Sequence, residues 1–118
     1  MTNSEIKKIA TGFKRGLLNK RSSALMCFAV AAPLCSYLRC LGVECELVEG
    51  AVGRINHFWI LLPNKKILDP TSNQFSDPFT GKKMPSVYIG EKPAWYSLSF
   101  EPPGDNITET GGKDAKKA

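Results

Sequence analysis

Hydrophobic and polar positions divide the chain into stretches of different period. Near the start, Ile6, Ile9, Ala10, Phe13 and Leu17 recur at helical spacing, with Lys7, Lys8, Lys14 and Arg15 between them. That pattern predicts an amphipathic surface helix, capped by Ser4, with a solvated basic face. "SSALMCFAVAAPLCSYLRCLG", residues 22–42, is almost uninterrupted apolar sequence. It predicts a second helix buried all round, capped by Ser22 or Ser23 and stopped at Gly42. Pro33 falls inside it and should kink or split it.

After Gly42 the period changes to two. In "VECELVEGAV" Val43, Cys45 and Leu47 point one way and Glu44 and Glu46 the other, as in a half-exposed strand. "INHFWILL" is apolar on both faces and predicts a central strand. "KILD" follows after a short turn through Pro63, Asn64 and Lys65. Residues 72–85, rich in Pro, Gly, Asp and Ser, predict a loop, and "SVYIG" and "AWYSLSF" are candidate later strands. Beyond Pro102 and Pro103 apolar residues nearly vanish, which predicts a single domain over 1–103 and a disordered tail over 104–118. Two helices followed by antiparallel strands make an α+β domain with helices packed on a sheet.

Composition narrows the function classes. The net charge of +5 is modest, so nucleic-acid binding through the basic face of the first helix is the weaker expectation. The apolar run of residues 22–38 is interrupted by Pro33 and too short for a membrane span, so no membrane association is expected. The four cysteines, Cys27, Cys35, Cys40 and Cys45, crowd one apolar window without a Cys-x-x-Cys pair. With one histidine they cannot complete a zinc set, and they predict reduced thiols in a cytoplasmic protein.

Cys27 is the cysteine nearest the start of the second helix, where free amides and the helix dipole favour a thiolate. Cys35 would hold that place if the helix began at Pro33. Alternatively, Cys27 is a small buried hydrophobe, as most free cysteines are. Cysteine catalysis also needs a base and a group that orients it. His57, the only histidine, and Asp69 lie on successive strands. Alternation makes their meeting a question of turn length. A four-residue turn puts them on opposite faces. A three-residue turn, 63–65, pairs Leu61 with Ile67 and sets His57 diagonal to Asp69, about 7–8 Å apart at the backbone. Phe58, Ile60, Leu62 and Leu68 then share the other face. Trp59 and Thr71 flank the pair, Trp59 either as core or as a wall against solvent. Asn73 is the alternative orienting residue if Asp69 faces away.

A cysteine at a helix start, Gly42 ending that helix, then His57-Phe58-Trp59 and Asp69-Pro70-Thr71 together resemble the transglutaminase-like branch of the papain-like cysteine peptidases. Gln74 and Phe75 match its small bacterial and phage members. The likeness covers about residues 20–75. Met26 before the cysteine, Ala31 one turn later and Pro33 depart from the family pattern. The resemblance implies a papain-like fold with Cys27 as nucleophile, His57 as general base and acid, and Asp69 as the orienting carboxylate. It implies an amide-bond hydrolase acting on a protein or peptide through an acyl-enzyme, without metal or cofactor. The Cys27 amide would serve the oxyanion hole, with Asn19 a candidate second donor. The rival expectations are a non-catalytic protein-binding member of that fold and the basic nucleic-acid-binding protein.

Overall fold

The first helix, α1 (Asn3–Leu18), begins with a reciprocal cap. Thr2 N–H donates to Glu5 Oε1 at 2.7 Å, and Glu5 N–H donates to Thr2 Oγ1 at 3.1 Å. Thr2 is therefore the cap, and Ser4 lies inside the helix. The structure, a computed structural model, describes residues 1–18 and 26–98. Ser22, Ser23, Asn19 and the tail 104–118 lie outside them.

The buried stripe of α1 is Ile6, Ala10, Lys14 and Leu18 rather than one ending at Leu17, which is exposed. Strict four-residue spacing carries Lys14 inward, against the expectation that it belongs to the solvated face.

The second helix, α2 (Cys27–Cys40), starts at Cys27 itself and runs unbroken through Pro33. Proline removes the bond to the Ala29 carbonyl, but both residues are exposed, so water can satisfy that oxygen. The helix is buried on one side only, through Val30, Ala31, Leu34, Cys35 and Leu38. Phe28 and Tyr37 are exposed, which corrects the all-round burial expected from composition. Gly42, at φ +93°, closes α2 in a left-handed cap. Gly42 N–H donates to Arg39 O and Val43 N–H to Leu38 O, each at 3.0 Å.

Five antiparallel strands follow: β1 (Glu46–Val52), β2 (Ile55–Leu61), β3 (Ile67–Asp69), β4 (Tyr88–Gly90) and β5 (Tyr96–Ser97), ordered β4-β3-β2-β1-β5. β2 is central, as its two apolar faces require. One sheet face (Phe58, Ile60, Leu62, Leu68) packs with Ala31, Leu34 and Leu38 of α2 and with Ile6 and Ala10 of α1. The other face gathers Val52, Trp59, Ile67, Phe75 and Tyr96. The molecule is thus an α+β fold, two helices on a curled antiparallel sheet. No helix among the described residues is long and apolar enough to cross a membrane.

Candidate functional site

The β2–β3 hairpin sets the geometry of the site. Leu62 N–H donates to Lys66 O at 2.9 Å, and Lys65 N–H donates to Leu62 O at 3.0 Å. Lys65 takes a left-handed φ of 69° to close the turn, and Asn64 Oδ1 accepts from Lys66 N–H. Three residues, 63–65, therefore connect the strands, and Leu61 pairs with Ile67 and Ile60 with Leu68. Alternation then turns His57, Trp59 and Asp69 to the same face.

His57 Nε2 lies 2.7 Å from Asp69 Oδ2, and both side chains have 0% exposure. A ring N–H facing a carboxylate is the donor, which leaves Nδ1 as an acceptor in the neutral ring. Nδ1 is buried and has no hydrogen-bond partner among the described residues. Asp69 is held from two other directions. Tyr96 Oη donates to Oδ2 at 2.6 Å, and Thr71 N–H donates to Oδ1 at 3.0 Å. Phe75, Tyr96 and Trp59 surround the imidazole, with ring centroids 4.7, 5.9 and 6.0 Å away. Phe75 and Tyr96 meet it edge to face. Gly50 sits directly across β1 from His57, and the Trp59 ring covers the space a side chain there would need.

Tyr96 carries no signal in the sequence. It comes from β5, at the opposite edge of the sheet from β4, with β2 and β1 lying between it and β3. In a flat sheet that separation is about 14 Å, more than a tyrosine spans, so the contact depends on the curl. Burial and the Asp69 charge push its phenol well above the ordinary tyrosine range.

Asn73 does not orient the imidazole. Its Oδ1 accepts from Lys14 Nζ at 3.2 Å, beside Ser86, whose carbonyl and hydroxyl accept from the same ammonium at 2.7 and 3.0 Å. Lys14 thus ties α1 to the segment just after Asp69. Burial lowers the lysine below its ordinary range, and the Asp69 charge partly opposes that.

Cys27 is the first residue of α2 and is half-buried. Neighbouring Phe28 meets Phe58 edge to face at 5.0 Å, which docks the start of α2 on the Phe58 side of β2. His57 projects from the other side. Among the described residues no hydrogen bond joins Cys27 to His57. The structure therefore brings His57 and Asp69 together, adds Tyr96 and Thr71, and leaves Cys27 outside their hydrogen-bonded network. Cys35 sits mid-helix and buried, not at a helix start, and Cys40 is exposed at the far end. Among the described residues no group of three or more His, Cys, Asp or Glu side chains could hold a metal ion. Comparison with family models, with curated proteins and with solved structures finds no match.

Proposed function

We propose that the chain is a papain-like, transglutaminase-like hydrolase that cleaves an amide bond of a protein or peptide through Cys27, His57 and Asp69. One observation carries this: the imidazole is anchored to a carboxylate through Nε2 while Nδ1 is buried with no hydrogen-bond partner among the described residues. A histidine serving only the core normally satisfies both nitrogens. A general base needs one nitrogen held and the other open.

In the proposed reaction the Cys27 thiol moves within reach of Nδ1 and gives it a proton. The thiolate attacks the substrate carbonyl carbon. The imidazolium, stabilised by Asp69, returns the proton to the leaving amine as the C–N bond breaks. Water, deprotonated by His57, then hydrolyses the thioester. The Cys27 amide at the start of α2 is suited to the oxyanion. The steps call on no metal or cofactor, and a free thiol nucleophile suits a reducing, cytoplasmic setting.

A second role is favoured by the placement of α2 on the Phe58 side of β2 and the complete burial of His57. In it the His57–Asp69–Tyr96 cluster is a core fastener of a non-catalytic, protein-binding domain. Alkylation separates the two. Cys40, exposed at the end of α2, is an internal reference thiol. Treatment of the folded protein with iodoacetamide at pH 6.5, followed by peptide mapping, gives both rates at once. The hydrolase predicts Cys27 at least tenfold faster than Cys40, with the excess lost in His57→Gln. Equal rates in the unaltered protein reject it without recourse to a variant.

A further inference from the structure

We propose that Cys35 and Cys45 form a reversible disulfide that fastens the middle of α2 to the entry of β1. Their sulfurs lie 3.7 Å apart, in non-bonded contact. Bond formation needs an approach of only about 1.7 Å, to the usual S–S length of ~2.05 Å. The two residues are ten positions apart in sequence, with the Gly42 cap between them. Both are almost fully buried, at 4% and 3% exposure, among Leu34, Leu38 and Val43. The pair belongs to neither role proposed for His57 and Cys27, the latter being the first residue of α2.

The oxidant is a low-mass disulfide of the glutathione class, and the bond forms by two exchanges. A protein thiolate attacks one sulfur of the small disulfide, giving a mixed disulfide and releasing one small thiolate. The second cysteine then attacks the protein sulfur of the mixed disulfide. The Cys35–Cys45 bond forms, and the second small thiolate leaves. Two protein thiols are oxidised, one small disulfide is reduced, and the two protein protons end on the released thiols.

Access controls the rate. Burial, with the Cys35 thiol beside it, pushes the Cys45 thiol up to about 12, so the closed form is a poor nucleophile. Exchange begins when residues 41–45 lift from α2. Arg39 Nε, which donates to Cys45 O at 2.8 Å, holds that segment down. The same segment lines a groove with Leu62 and Pro63, so the bond would fix one groove wall.

The test exposes the full chain to oxidised glutathione in native buffer, quenches it with acidic N-ethylmaleimide, and maps the peptides. Cleavage after Glu44 separates the two cysteines in the unaltered chain and in the Arg39 variant alike, and fragmentation distinguishes Cys35 from Cys27 and Cys40. Before alkylation the expected product is 2 Da lighter than the reduced chain, and after it Cys35 is linked to Cys45 with neither alkylated. Arg39→Met should speed its formation about fivefold, the worth of one hydrogen bond of ~1 kcal/mol. Adducts confined to Cys27 and Cys40, or a Cys27–Cys40 link, overturn the proposal. So does an unchanged mass after prolonged exposure.

Discussion

Tyr96 reaches across the curl of the sheet to donate a 2.6 Å hydrogen bond to Asp69, at the oxygen that His57 also engages. The carboxylate is therefore fixed by donors from three residues, His57, Thr71 and Tyr96, the last from a strand at the far edge of the sheet. Tyr96→Phe removes one donor and keeps the ring packed on Trp59 and Trp95. It should lower stability by about 1.5–3 kcal/mol, the range for a hydrogen bond to a charged acceptor. Urea unfolding measures the change. A loss under 0.5 kcal/mol would show that the bond contributes nothing net.

Gly50 is the tightest point of the same face. A Cβ there would stand 2.3 Å from Ser97 O and 2.3 Å from the Trp59 ring. One of these is backbone and the other a ring with 1% exposure, so neither can yield cheaply. Gly50→Ala should cost about 3 kcal/mol and detach β5, taking Tyr96 from Asp69. Thermal unfolding and the near-UV circular dichroism of the Trp59 and Tyr96 cluster should both change.

Lys14 is predicted to be structural, unlike the rest of the basic face. Lys14→Met keeps the aliphatic stem but removes the ammonium from Asn73 and strands the Ser86 acceptors. A loss of about 2 kcal/mol is expected, against less than about 0.5 kcal/mol for Lys7→Met on the exposed face. Parallel urea titrations compare them. Equal effects would mean that the buried ammonium holds nothing together.

Whole-protein stability should fall as pH rises above 9. The folded Cys45 thiol is raised from 9.0 to about 12, mainly by burial, and the Tyr96 phenol is raised from 10.0, again mainly by burial. Each binds its proton more tightly folded than unfolded. Their contributions are complete below the unfolded values and disappear as pH climbs through the folded ones. Lys14 runs the other way: lowered from 10.5 by burial, it relaxes its penalty as pH rises. Between pH 9 and 10 Cys45 is the group being lost, at up to about 1.4 kcal/mol per pH unit. Urea unfolding at pH 8, 9 and 10 should show the decline in the unaltered protein and not in Cys45→Ala.

The hairpin was legible from the alternation of "HFWILL", but its register was not: three- and four-residue turns were both open, and the left-handed Lys65 that closes the shorter one sends no local signal. Gly42 as a helix stop was legible, since only its φ of +93° was required. Lys14 was not, because its acceptors come from residues 73 and 86, far along the chain. Nor was the one-sided burial of α2, since an apolar helix does not say which face lacks a neighbour. The start of α2 at Cys27, with Met26 in the cap position, falls later than the Ser22 or Ser23 cap that the sequence suggests. The sheet face that α2 covers is a tertiary choice that no local pattern encodes, and it decides what Cys27 meets. Tyr96 depended on sheet curvature, which strand periodicity does not carry.

The turn at residues 63–65 also imposes an arithmetic on any variation of this chain. Adding or deleting one residue there, with strand pairing beyond it preserved, would exchange inside for outside along all of β3. Asp69 would move to the helix side while His57 stayed. Changes of two residues leave the carboxylate and the imidazole facing each other. Insertions tolerated between β2 and β3 should therefore come in even numbers, and a library of turn lengths scored for folding should show that odd–even rhythm.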